Sequence, residues 1–288
     1  MHVWKQSLIG IMLCLLAQLL SVPQVDANSE DALVMGVFPR RNAVSTARLF
    51  KPLATYLSHE LGRSVRLVTT KNFADFWTGV RQQKYDLVHY NQYHYIKSDD
   101  LYDVIVCNEE FGRRMISGAI YVRQNSDIQR LSDLKGKKIV FGGGKKAMMS
   151  YIVPRYLLQE AGLGLADFTL DFANNPPNAL ISVFYQQADA AGAGDVVINL
   201  PVVRKTIDTS KVRYLARSEA LFHLPWAVKR TLPVVLRQRI QSLLLNLDDQ
   251  NRGREILKMA KLTRFNLAED RDYDPHRDII QVIEAADE

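Results

Sequence analysis

The sequence predicts an α/β protein of two lobes, each built on a mostly parallel sheet flanked by helices, with a ligand cleft between them. Three observations carry this. From residue 32 to 107, apolar runs of strand length alternate with amphipathic stretches of helical length, the pattern of parallel β-α-β units. A second series of the same kind begins at Lys138. No low-complexity linker separates the two, so short crossings rather than a long tether should join them.

The chain has 288 residues, 47% apolar and 24% charged, the composition of a globular protein. Residues 1–27 read as an export signal. Lys5 gives the positive start, and Leu8 to Leu20 is an apolar run too short for a confident spanning helix. Val25-Asp26-Ala27 places the cut after Ala27. Cys14 leaves with the signal, so the mature chain keeps Cys107 alone and forms no internal disulfide. Export without disulfides fits a bacterial periplasm and a self-sufficient core. The signal removes one basic residue (Lys5) and one acidic (Asp26), so the net charge of +6 is unchanged. A mildly basic balance suits an anionic ligand or surface. There is no basic run of five and no basic patch interleaved with aromatics, so no nucleic-acid partner is expected.

Ala32 to Phe38 reads as a buried strand, followed by the polar loop PRRNAVST and a helix from about Ala47 to Leu61. Leu53, Leu57 and Leu61 recur at helical spacing, and Gly62 closes the helix. Val65 to Val68 is a second strand. Asn72 is placed to cap a helix carrying Phe73, Phe76, Trp77 and Val80. Asp86 to Tyr90 is a third strand, Asn91 to Lys97 a short helix and Asp103 to Cys107 a fourth strand. Ser117 to Arg123 follows as another strand, and Ser132 caps a short helical turn. The second series comprises a strand at 138–141, a helix at 148–161, a strand at Phe168 to Phe172 and a helix from about Asn178 to Gln187. A short strand near Ala190 and another at Val212 to Ala216 complete it. Beyond Leu224 the chain reads as mostly helical: Pro233 to Leu247, Arg252 to Ala260 and Arg277 to Ala286. These last helices lack a sheet of their own and should pack back on the first lobe. The expected division is 28–118 for the first lobe, 119–222 for the second and 223–288 for the return.

In doubly wound sheets ligands bind beyond the carboxyl ends of the strands. Here those ends carry Arg40 and Arg41, which suit bidentate contacts to an anion, and Tyr90 and Asn91. The most pointed segment is FGGGKKAMMSYIVP, Phe141 to Pro154. Its glycines allow a sharp turn, and the helix behind it aims free N–H groups forward. Gly144, Lys145, Lys146, Ala147, Met148 and Met149 are therefore candidate ligand contacts. Gly142 to Ala147 also fits the dinucleotide pattern G-x-G-x-x-A, but in the second series of an exported chain a ligand loop is the better reading. His89 to Tyr95 is rich in groups that suit ferric iron, with Asp195 or Asp75 to complete a set. Aromatic packing at a helix start explains it as well, and no metal residue or cofactor is assigned. No catalytic constellation emerges: Gly-x-Ser-x-Gly, His-Glu-x-x-His and a spaced Cys/His pair are all missing, so no enzyme is expected.

The phrase SDLKGKKIVFGGG, the helix from Pro52 to Gly62, the strand end DLVHYNQ and the segment ADAAGAGD resemble the phosphate, phosphite and phosphonate solute-binding proteins of ABC importers. The likeness runs from about Leu33 to Ala260. It implies the two-lobed periplasmic-binding-protein fold, one ligand held between hinged lobes, and an ABC permease as partner. A membrane sensor protein would use the same closing cleft. The family's Ser-Thr-Ser run, whose hydroxyls and amides hold phosphonate oxygens, matches Ala147-Met148-Met149. A family histidine matches Asn175, a family tyrosine Tyr90 and a family acidic residue Asp195. Loss of the hydroxyls implies a ligand with an anionic end and a larger, less polar body. The protein is expected to act as a monomer.

Overall fold

The structure is a computed structural model that describes residues 32–287. The expected signal and its cut after Ala27 lie outside the described residues. The first half holds β1 (Leu33–Val37), α1 (Ala43–Leu61), β2 (Val65–Val68), α2 (Phe73–Arg81), β3 (Leu87–His89), α3 (Gln92–Ile96), β4 (Tyr102–Glu109), β5 (Met115–Ile116) and β6 (Gly118–Arg123). It continues with β7 (Lys138–Gly142), α4 (Val153–Glu160), β8 (Thr169–Ala173), α5 (Pro176–Phe184), β9 (Ala190–Gly194), α6 (Pro201–Thr206), β10 (Val212–Arg217) and β11 (Leu221–Phe222). The return holds β12 (Pro225–Lys229), α7 (Val234–Leu245), α8 (Asn251–Ala260), β13 (Arg264–Leu267) and α9 (Asp274–Ala285).

Two main sheets form, in the orders β13-β4-β12-β3-β1-β2 and β10-β6-β9-β7-β8. In the first, β3, β1 and β2 are parallel, with Met35 set between Leu67 and Leu87. β4 does not pair with β3. The returning β12 slots between them and is antiparallel to both, and β13 adds antiparallel to the outer side of β4. The α/β class holds, but the sheet is mixed. The stretch after Leu224, expected to be mostly helical, supplies two strands. β12 arrives from the opposite direction because the chain re-enters from the far sheet, which sequence periodicity does not record.

Local chemistry sets the boundaries. α1 begins at Ala43 rather than Ala47 because the Asn42 side chain accepts from Ser45 N at 2.8 Å. Gly62 ends it with φ 64°. One face of the first sheet packs on α1, α7 and α8 through Leu53, Leu57, Leu244 and Leu257. The other face meets Phe76, Tyr95, Tyr102 and Tyr273. In the second sheet β7, β8 and β9 are parallel and β6 is antiparallel to both β9 and β10. β11 pairs with β5 as a two-stranded ribbon, Leu221 opposite Ile116 and Phe222 opposite Met115. These two strands lie at the two crossings between the sheets. α9, grouped from sequence with the return to the first lobe, instead buries Ile280 and Ile283 among the helices of the second sheet.

The second sheet is shaped by missing side chains. β9 reads AAGAG and is buried throughout. A Cβ on Gly192 would lie 2.4 Å from Phe141 Cδ1 and 2.8 Å from the Ser150 carbonyl oxygen. The helix start at residues 148–152 therefore rests directly on the sheet. Gly192→Ala should lower unfolding free energy by about 1–3 kcal/mol through overpacking, read by urea denaturation. A loss below about 0.5 kcal/mol, the range of ordinary surface changes, would show that this contact is not tight.

Candidate functional site

The walls of the cleft are built from the carboxyl ends of the strands. In the second lobe, β7 ends in the glycine loop. Gly142 lies against Pro176, whose Cα would be 2.3 Å from an added Cβ, and Gly143 has φ 95°. These two glycines are required by the backbone, whereas Gly144, Lys145 and Lys146 are exposed. Ala147 N donates to Gly144 O at 2.9 Å, closing the loop, and Tyr151 N donates to Ala147 O at 2.8 Å. A wide π turn, Met148–Ile152, then leads into α4. The first amides of a helix have no carbonyl partner within it, so the N–H groups of Met148, Met149 and Ser150 are available at this end. The methionine side chains are not. Met148 and Met149 are buried in the second core, so they present backbone rather than the soft apolar surface their residue type offers.

In the first lobe, the matching wall is organised by Asn91. Its Nδ2 donates to the Lys146 carbonyl at 2.9 Å, a bond from one lobe to the other. Its Oδ1 accepts from His94 N at 2.8 Å, capping α3, and faces His94 Nδ1 at 2.6 Å. The carboxamide oxygen can only accept, which places the imidazole proton on Nδ1. Burial, helped by the Lys146 charge, lowers the His94 pKa to about 4. The neutral ring stacks on Phe73 at 6.2 Å and tilts against Trp77 at 5.2 Å. Phe38 meets Phe73 edge-on at 6.0 Å. Phe73 is 43% exposed, so the wall ends in an open aromatic face.

The remaining predicted residues are placed differently. Tyr90 is fully buried, ringed by Tyr95 and Tyr102, with Ser98 Oγ donating to its hydroxyl at 3.3 Å. Burial raises its pKa well above the usual tyrosine value. It faces the core beneath α3 and not the cleft. His89, on the opposite strand face, stacks on Trp226 at 4.4 Å. Asp195 is 1% exposed and committed within the protein. It accepts from Ser117 N at 3.1 Å and pairs with Arg113 at 2.8 Å, beside the crossing. Asn175 caps α5, accepting from Asn178 N at 3.0 Å, next to the glycine loop.

Arg40 pairs with Glu110 at 3.3 Å and lies over Phe38, while Arg41 is exposed. With Thr46, His89 and Asn108 they line a cavity of about 10 Å³, room for about one water. Burial alone would raise the Glu110 carboxyl. Arg40, His223 and Arg41 outweigh it and hold the group below its ordinary value. Among the described residues no three His, Cys, Asp or Glu side chains form a metal-holding group. Sequence reasoning did not single out Phe73, the first residue of α2 after the Asn72 cap, which the structure leaves 43% exposed beside His94. It also missed Arg113, whose role depends on the crossing geometry.

Two sheet-and-helix lobes joined by a short ribbon, with Asn91 of one bonded to the glycine loop of the other, make a two-lobed binding-protein architecture. The sequence model of the family described as "ABC transporter, phosphonate, periplasmic substrate-binding protein" matches residues 35–273, and the chain belongs to that family. It is thus a solute-binding component of an ABC transporter system, a class that takes a small-molecule ligand and works with a membrane permease. Among the described residues no helix is long and apolar enough to cross a membrane. A probable ABC transporter phosphite-binding protein, PhnD1 of Prochlorococcus marinus, is 22% identical over 263 residues, covering 85% of this chain and 88% of the relative. The structure of PhnD1 in complex with methylphosphonate has a TM-score of 0.74 at 22% identity, covering 88% and 98% of the two chains. The protein XAC2383 of Xanthomonas citri, bound to ATP, has a TM-score of 0.74 at 16% identity, covering 89% and 98%.

Two outcomes follow from the geometry. Asp195→Ala leaves Arg113 and Ser117 N without their acceptor and should cost about 1–3 kcal/mol of stability, measured by denaturation. Full stability with weakened ligand binding would instead make Asp195 a ligand contact. Second, burial lowers His89 and His276 to about 3 and His94 and His223 to about 4. The unfolded chain binds these protons near pH 6.5, so their stability contribution is complete above that pH and is lost as pH falls toward about 4. The melting temperature should drop between pH 7 and 5. A flat profile would contradict the buried, neutral histidines.

Proposed function

We propose that the protein captures a phosphonate-like anion bearing an organic group larger and less polar than methyl, and presents it to an ABC permease. The observation that supports this is the bond from Asn91 to the Lys146 carbonyl, which ties the cap of α3, with His94 stacked on Phe73, to the glycine loop. The anionic head would take the amides of Met148, Met149 and Ser150, with Lys145 and Lys146 adding positive charge. Ala147, Met148 and Met149 offer it no hydroxyl, and each missing neutral hydrogen bond costs about 0.5–1.5 kcal/mol. The organic group offsets this on the aromatic wall, where a ring pair contributes about 0.5–1.5 kcal/mol beyond area burial. The neighbours that hold methylphosphonate and ATP differ widely in ligand size, so the local wall, not the fold, supports this choice.

Calorimetric titration should rank phenylphosphonate above methylphosphonate and both above inorganic phosphate. Phe73→Ala should weaken phenylphosphonate by about three- to ten-fold and leave methylphosphonate nearly unchanged. Tight binding of bare phosphate or phosphite would sink the reading. We further propose an exported monomer cut after Ala27. Native mass spectrometry of protein taken from the periplasm would give the processed mass, the number of chains and the mass of any retained ligand. A mass that includes residues 1–27, or a stable dimer, would overturn this part.

A further inference from the structure

We infer that α9 is a strut across the hinge, and that its charged face latches the two lobes together. The inference is independent of which ligand binds. The family match ends at residue 273, and α9 begins at Asp274. Two rows of side chains run along it. His276, Ile280 and Ile283 follow the spacing of one helical face, and none is more than 3% exposed. Ile280 and Ile283 join the second core beside α4. His276 Nε2 lies 3.2 Å from the carbonyl of Phe222, in the hinge strand β11. Beyond the helix, Asp287 pairs with the buried Arg155 of α4 at 3.1 Å.

The adjacent row carries Arg277 and Glu284. Arg277 pairs with Asp99 at 2.8 Å and also with Asp270 and Asp274. Glu284 accepts from Lys97 Nζ at 2.7 Å and from the Tyr93 hydroxyl at 3.4 Å, both at α3 of the first lobe. One helix is thus fastened to α4 by apolar burial and to α3 by charge together with the partly buried Tyr93 and Ile96, which pack against the same core. A hinge movement that separates α3 from α4 cannot preserve both. The apolar row is shielded from water, whereas the Lys97 and Glu284 side chains are 36% and 45% exposed. The exposed pair is the weaker link. α9 therefore travels with the second lobe, pivoting near His276 and Arg277, and Glu284 releases Lys97 and Tyr93 when the lobes part.

The test is the distance between spin labels on Lys51→Cys in α1 and Lys205→Cys in α6. Cys107 is buried with its thiol pushed up to about 12, so it stays unlabelled. Adding Glu284→Gln with Tyr93→Phe removes the carboxylate charge and the hydroxyl while keeping the Tyr93 ring, which packs against the second core. It should raise the long-distance population about two- to five-fold at low salt, and high salt should move the parent the same way. A chain ending at Tyr273 should shift further. If that chain fails to fold, the double variant decides alone. A distance distribution unchanged in the double variant overturns the latch, even if its melting temperature falls, because a purely structural role would lower stability without moving the lobes.

Discussion

The Asn91 carboxamide is the contact on which the cleft depends. It has an acceptor and a donor on one rigid plane, and both are used. The oxygen caps α3 and holds His94, and the nitrogen reaches the Lys146 carbonyl across the seam. An aspartate would lose the donor and a serine would lack the reach. With His94 fixed, Phe73 and Trp77 gain a rigid ring to pack on. The first lobe's aromatic wall and the second lobe's loop are therefore positioned by the same side chain.

The second wall is made by omission. Gly142 admits Pro176, and Gly192 admits Phe141 and the Ser150 carbonyl. With Ala190, Ala191 and Ala193 beside it, β9 is a flat floor on which the helix start can lie. The bulk that anchors that start comes from Met148 and Met149, which point inward. What remains on the cleft side is backbone N–H and lysine charge. In the proposed site such a wall would take an anionic oxygen through fixed dipoles, whatever the side chains around it.

Much of this was legible in the sequence. Alternating runs indicate the two α/β series, and the cap expected at Asn72 sits at a real helix start; the Asn42, Asn91 and Asn175 side chains cap helices in the same way, which the sequence reading did not assign. The glycine loop was found from its composition. Strand alternation also put His89 and Tyr90 on opposite faces, but alternation cannot say which face meets solvent. Both rings are buried, Tyr90 under α3 and His89 against Trp226. Asp195 was read as a ligand contact, yet it is buried and paired with Arg113, a partner set by the crossing, which periodicity does not encode. The direction of β12 has the same cause. It depends on where the chain has been and not on the five residues themselves.

Charge is distributed so that the two walls differ in kind. The first lobe buries His89 and His94 neutral, and Arg40 is drawn toward Glu110. Its exposed tip is Phe73, an aromatic face beside an uncharged imidazole. The second lobe offers Lys145, Lys146 and a helix N-terminus. A molecule with one anionic and one apolar end has a single favourable orientation between such walls, because desolvating the anion against the aromatic side returns no hydrogen bond. Reversal would remove both complementary contacts at once. On the proposed reading, the specificity of the cleft comes from this polarity, with the second lobe holding the head and the first lobe covering the body.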